Sequence, residues 1–244
     1  MQKLWHETFR ARFYEVGPDG CITIQALTNY FQEAAGNHAA ELGVGMQHLF
    51  EKGQSWVLSR FFIQMHQFPQ WKQPVTIDTW PAGTERMFAL RHFRLRSGEI
   101  EIGFGSSAWL LIDLARRRPL RPDFVRDFDE PGPVIDLAEK LPGKVEPPAA
   151  STCERAFTVR TSDLDMNQHV NNVNYIDWAL EAVPPETRRE ARLHTLQIEF
   201  LAECYEGEQV VSKCAADGDD RYRHGIYRQD GSIAATALSC WKTG

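Results

Sequence analysis

The stretch RTSDLDMNQHVNNVNYIDWALEAVPP, residues 160–185, has a counterpart earlier in the same chain, RFYEVGPDGCITIQALTNYFQEAAGN, residues 12–37. At an offset of 148, Arg12 meets Arg160, Tyr30 meets Trp178, and Glu33-Ala34 meets Glu181-Ala182. Each stretch runs into an apolar stripe with helical spacing. In the first the stripe is Ile24, Leu27, Phe31, Ala34 and Ala35; in the second it is Val173, Ile176, Leu180 and Val183. Pro184-Pro185 is expected to end the second helix, because proline disfavours helical geometry in the residue before it.

Outward from these helices the chain reads as strands. In the first half they are 57–65, 75–80, 90–96 and 107–112; in the second, 196–200, 209–214, 224–227 and 234–241. Here the offset becomes 135, pairing Ile63 with Ile198 and Val75 with Val210, so the first half carries 13 extra residues between helix and strands. One long helix followed by a run of strands, twice over, predicts a duplicated α+β unit. Seven of the 13 prolines fall between Pro119 and Pro148, a segment unsuited to helix or central strand. The expected organisation is a domain over 1–120, a Pro-rich connection over 121–153 and a second domain over 154–244. Length alone could not choose: 244 residues give about 1.6 domains at roughly 150 residues each.

Composition narrows the class of function. With 43% hydrophobic and 25% charged residues, the chain is neither collagen-like, disordered nor a disulfide scaffold. The longest apolar run is five residues, Ala108 to Ile112, too short to span a bilayer. A net charge of −6 argues against a nucleic-acid partner. One basic cluster, Arg116, Arg117, Arg118 and Arg121, is either a solvated turn or an anion-docking surface. Five cysteines without a CxxC pair fit neither a disulfide framework nor a zinc cluster, and suit a reducing compartment. The segment MQKLWHETFRARF lacks the apolar core of a secretory signal and is too short ahead of the first strand for a transit peptide, so the expected location is cytoplasmic.

The densest polar cluster is Asp163-Leu-Asp165-Met-Asn167-Gln-His169-Val-Asn171-Asn172. A calcium loop starting at Asp163 would need glycine at its sixth position and glutamate at its twelfth; these are Gln168 and Asn174, so no metal site is expected. Helix capping accounts for Asn171 or Asn172. It leaves Asp165, Asn167 and His169, which in an extended segment would project on one side. Together they offer a base, a donor for a carbonyl oxygen and a titratable imidazole beside the positive end of a helix. Glu203-Cys204, where the strand after the helix loses its alternation, is either an exposed strand end or part of the same site. The repeat supplies a control: Asp165, Asn167 and His169 correspond to Gly17, Asp19 and Cys21, and Glu203-Cys204 to Phe68-Pro69. The first copy keeps the scaffold and lacks the polar set.

At these residues the chain resembles the acyl-acyl carrier protein thioesterases, the family that includes the plant enzymes ending fatty-acid synthesis. The resemblance rests on Trp56-Val-Leu-Ser-Arg60, Thr79-Trp-Pro81, the run from Ser106 to Asp113 with Arg117-Arg-Pro119, the run from Ser162 to Asn172 with Tyr175, and Glu203-Cys204. It implies a tandem double hot-dog fold, each half a long helix wrapped by an antiparallel sheet. It implies hydrolysis of the thioester between a fatty acyl chain and the phosphopantetheine arm of an acyl carrier protein, and a cofactor-free route is expected. Asp165, Asn167, His169, Glu203 and Cys204 match the family's catalytic positions, with Cys204 the least secure. Water, activated by Glu203 or Asp165, is the favoured nucleophile; covalent routes through Asp165 or Cys204 are the alternatives. Trp56, Leu58 and Met65 are expected to line the acyl site, and the arginine cluster to meet the acidic carrier. An acyl-CoA thioesterase, a hot-dog dehydratase and a non-catalytic acyl-binding module are the rival readings, and a homodimer is open. The lack of a transit peptide points to a bacterial-type member.

Overall fold

The structure, a computed structural model, describes residues 4–128 and 142–243. These form two compact units divided between Pro142 and Gly143, with Arg60–Phe62 grouped with the second.

The first unit runs β1 (Trp5–Arg10), α1 (Ile24–Glu41), α2 (Met46–Phe50), β2 (Gln54–Met65), β3 (Pro74–Glu85), β4 (Phe88–Ser97), β5 (Ile100–Asp113) and β6 (Arg118–Leu120). Its strands lie in the order β1-β3-β4-β5-β2, with β6 paired to β5. Thr23 caps α1, its hydroxyl accepting from the Ala26 amide at 3.2 Å. Every residue of the expected stripe, Ile24, Leu27, Phe31, Ala34 and Ala35, is buried. The helix packs on β3 and β1, and the Phe31 ring meets Phe93 of β4 edge-on at 4.7 Å. Each such fully buried large side chain contributes about 2 kcal/mol through apolar area removed from water.

The second unit runs β7 (Cys153–Thr158), α3 (Asn172–Glu181), α4 (Pro185–Glu190), β8 (Ala191–Phe200), β9 (Gln209–Ala216), β10 (Arg221–Arg228) and β11 (Ile233–Thr243). Its strand order, β7-β9-β10-β11-β8, repeats that of the first unit strand for strand. The side chain of Asn171 caps α3 by accepting from the Val173 amide at 3.1 Å. Val173, Ile176 and Leu180 are buried, and α3 packs on β7, β9, β10 and β11.

Three features depart from the sequence expectation. The second helix is short: α3 has ten residues against 18 in α1, about 15 Å against 27 Å of rise. Val183, expected on its stripe, is buried beyond the helix end. Pro184-Pro185 also does more than end a helix. Pro184 is the N-cap of α4 and Pro185 its first residue, where the missing N–H has no intrahelical partner to lose. Finally, β1 and β7 escaped detection, because both are half-exposed edge strands with mixed polarity. Cys153, expected in the connection, is the first residue of β7. Of the expected connection, residues 129–141 lie outside the described residues; Asp123–Phe128 coils as a 3-10 helix. Among the described residues no helix is long and apolar enough to cross a membrane.

Candidate active site

The polar cluster begins with a 3-10 turn, Thr161–Asp163, ahead of α3. The buried carboxylate of Asp163 accepts from the Arg160 amide at 2.8 Å and from its guanidinium at 2.7 and 3.2 Å. Burial favours the neutral acid, but the Arg160 hydrogen bonds outweigh it and hold the Asp163 pKa below the usual range. The Asp163 carbonyl accepts from the Asn171 amide at 2.9 Å and the Asn174 side chain at 2.7 Å. The intervening loop is therefore fastened to the start of α3.

That loop is not extended, which corrects the expectation that Asp165, Asn167 and His169 project side by side. The Asp165 amide donates to the His169 carbonyl at 2.8 Å, and a bridge between Leu164 and Val170 closes the loop. One Asp165 oxygen accepts from the amides of Asn167 at 2.8 Å and His169 at 3.3 Å. The other accepts from the Asn167 side-chain amide at 3.3 Å. A short carboxylate that captures amides further along its own chain makes a turn, and this overrides strand alternation. Gln168 completes the turn at φ +64°, a left-handed conformation that strains any residue but glycine.

A second segment meets the loop after β8. The Val170 amide donates to the Cys204 carbonyl at 3.1 Å. Glu203 is thereby brought to His169, with Oε1 at 3.3 Å from Nδ1. The Tyr205 hydroxyl donates to the other Glu203 oxygen at 2.9 Å, and its ring meets the imidazole edge-on at 5.3 Å. Cys204 points elsewhere. It is buried, its amide donates to the Tyr175 hydroxyl at 2.9 Å, and burial pushes its thiol up, away from the thiolate. Burial, with Cys204 and Glu203 close by, likewise raises the Tyr175 phenol.

Two contact sets result, Asp165 with Asn167 and His169 with Glu203, on one loop cluster. Sequence reasoning singled out Tyr175 only as part of the family resemblance, and it gave no role to Tyr205 or to the strained Gln168. The only signal for Tyr205 was an aromatic directly after Glu203-Cys204, and left-handed backbone at a glutamine has no sequence signal.

The first unit repeats this backbone. Its Gly17 amide donates to the Cys21 carbonyl at 2.8 Å, Val16 bridges Ile22, and Ile22 donates to the Pro69 carbonyl at 2.8 Å. Gly20 stands at φ +74° where the second loop has Gln168. Trp56, Leu58 and Met65 all lie on β2: Leu58 and Met65 are core residues, and the half-buried Trp56 donates from its indole to the Val44 carbonyl at 3.0 Å. A cleft of about 420 Å³ in this unit is lined by Thr8–Arg12 and Tyr30, and so includes none of these three. Arg116 and Arg117 form the turn of the β5–β6 hairpin, Arg118 opens β6 and Arg121 follows it; all four are exposed. Among the described residues no His/Cys/Asp/Glu group could hold a metal ion.

Two copies of one helix-and-sheet unit, only one of them equipped with a polar set, define a tandem hot-dog protein. The model of the acyl-ACP thioesterase N-terminal domain matches residues 2–127 and that of the C-terminal domain matches 146–243. A chloroplastic palmitoyl-acyl carrier protein thioesterase of Cuphea hookeriana is 29% identical over 98% of this chain and 62% of its own. A chloroplastic dodecanoyl-[acyl-carrier-protein] hydrolase of Cinnamomum camphora is 33% identical over 98% of this chain and 68% of its own. Among solved structures, an acyl-ACP thioesterase from Bacteroides thetaiotaomicron superposes with a TM-score of 0.88 at 26% identity, covering 98% of each chain. The 12:0-ACP thioesterase from Umbellularia californica gives 0.87 at 26% identity, covering 100% of this chain and 99% of the other. The chain belongs to the acyl-ACP thioesterase family. It spans a little under two thirds of the length of several curated relatives that it matches.

Proposed function

We propose that this chain hydrolyses the thioester linking a fatty acyl group to the phosphopantetheine arm of an acyl carrier protein. The observation that carries the reading is the His169–Glu203 pair, 3.3 Å apart, in the one half whose repeat partner has Cys21 and Phe68 at those positions. Glu203 beside Nδ1 favours the tautomer with its proton there and leaves Nε2 as the basic nitrogen. Nε2 then takes a proton from water as the water oxygen attacks the thioester carbonyl carbon. The carbonyl oxygen becomes an oxyanion, met by the free N–H of the Asn167 side chain and by the amide end of α3. Collapse breaks the carbon–sulfur bond, and the imidazolium returns its proton to the departing thiolate. Asp165, with its oxygens taken up by loop hydrogen bonds, acts as organiser of the loop. The raised thiol of Cys204 supports water over a cysteine nucleophile.

The exposed arginines Arg116, Arg117, Arg118 and Arg121 dock the acidic carrier, offsetting the repulsion expected from a net charge of −6. Trp56, Leu58 and Met65 belong to the half that receives the acyl chain. All five cysteines are free, which supports a reducing, cytoplasmic setting. The test is product analysis with matched acyl-carrier and acyl-CoA panels. Free acid from the carrier substrates at the higher kcat/KM is the expected result. Preference for acyl-CoA would move the assignment to that thioester class, and an enoyl product from a 3-hydroxyacyl substrate would sink it.

A further inference from the structure

In the second unit the turn before the catalytic loop is polar: the Thr161 hydroxyl hydrogen-bonds Glu206. The repeat offsets place Phe13 opposite Thr161, Tyr14 opposite Ser162 and Trp71 opposite Glu206. The first unit thus keeps the contact and changes its chemistry. Phe13 and Trp71 meet edge-on at 5.8 Å, yet Phe13 is 75% exposed, Tyr14 76% and Trp71 46%. Burying three aromatics would be the ordinary outcome; grouping them on the surface marks an interaction site.

Cations surround them. Lys72 Nζ lies 4.1 Å from the centre of the Trp71 ring, Arg12 donates to the Tyr14 hydroxyl at 3.2 Å, and Arg10 is exposed close by on β1. Of the carboxylates in the same stretch, Glu15 is partly buried and Asp19 is exposed, and both are engaged in local hydrogen bonds. Glu15 accepts from the Arg12 amide at 2.8 Å and from the Tyr30 hydroxyl at 2.5 Å, and Asp19 accepts from the Cys21 amide at 2.9 Å. The 420 Å³ cleft is lined by Thr8, Phe9, Arg10, Ala11, Arg12 and Tyr30, so it shares Arg10 and Arg12 with this patch. Trp, Tyr and Phe ringed by Lys and Arg fit the boundary between lipid headgroups and acyl chains.

We propose that Phe13, Tyr14 and Trp71, with Arg10, Arg12 and Lys72, dock the protein on an anionic lipid surface. The rings enter the headgroup boundary and the cations meet phosphate oxygens, one of which fits the cleft between Arg10 and Arg12. A net charge of −6 opposes approach to such a surface, so a local cationic patch is needed to bring the rings to it. This surface does not depend on the thioesterase reading.

The test is co-sedimentation with vesicles of phosphatidylcholine alone and with about one third phosphatidylglycerol. Binding is expected only to the anionic vesicles, and salt should weaken it. Phe13→Ser with Trp71→Ser should lower the partition at least tenfold, and each of Arg10→Glu and Lys72→Glu by roughly fivefold or more. The charge variants carry the test should the aromatic pair compromise folding. Absence of binding, or variants that bind like the native chain, would overturn the proposal. So would a native dimer, seen by sedimentation velocity, that Phe13→Ser and Trp71→Ser dissociate, since the patch would then be a subunit interface.

Discussion

Residues 15–23 and 163–171 trace one backbone path, with the same closing bridge, the same left-handed residue and the same tie to a distant carbonyl. They differ in what hangs from that path. The comparison separates what the two loops share from what only one has: the shared main-chain hydrogen bonds close both loops, and the second alone adds Asp165, Asn167 and His169 with Glu203. The copy with the polar set is also the strained one, with Gln168 held where the other copy has Gly20, as is common at functional sites.

The sharpest way to break this contrast is to remove the proposed acid–base pair from one copy and polar groups of the matching loop from the other. Glu203→Gln or His169→Ala should lower kcat on acyl-carrier substrate by about 10²- to 10⁴-fold. Asp19→Asn and Cys21→Ala should leave it within about threefold, as measured by release of free acid. Comparable losses from both sets would mean that the first copy also takes part in the reaction.

Acid should distinguish the units next. His224 is buried on β10 with Nε2 2.8 Å from the Ser239 hydroxyl, and burial pushes its pKa down to about 4. Between pH 6.5 and 4 the unfolded chain binds the proton that the folded one refuses, so stability falls as pH falls through that window. The loss approaches about 3 kcal/mol. In the first unit, burial opposes ionisation of Asp78, but hydrogen bonds from Arg96, His6 and Arg94 hold it at about 2. Its stabilisation is nearly complete at about pH 5 and is lost as pH falls through about 4 to 2. Hydrogen exchange at pH 5 should therefore show β10 losing protection before β4, and His224→Gln should flatten the pH dependence of unfolding.

Smaller effects refine the comparison further. Tyr205→Phe removes the hydroxyl on Glu203 and should lower kcat by about tenfold, with KM nearly unchanged. Exchanging the left-handed residues should shift stability by about 1 kcal/mol in opposite directions: Gln168→Gly gains and Gly20→Gln loses, read from urea midpoints.

Periodicity revealed the elements that are buried on one face, because burial writes itself into spacing. The stripe of α1 and the runs containing Val75, Ile77, Leu196 and Ile198 were legible for that reason. Edge strands such as β1 and the short α2 and α4 leave no such trace. At the site, residue types were legible and their arrangement was not. Alternation assumed an extended chain, whereas the Asp165 carboxylate turns back on its own amides. That Glu203 would face His169 depends on a tertiary meeting of segments 34 residues apart, which no local pattern encodes.

That meeting has a clock attached. The Val170 amide rests on the Cys204 carbonyl at 3.1 Å, so its proton reaches water only when the two segments part. Followed one amide at a time, its exchange rate reports how often the His169–Glu203 pair comes undone, with no substrate present and no turnover to interpret.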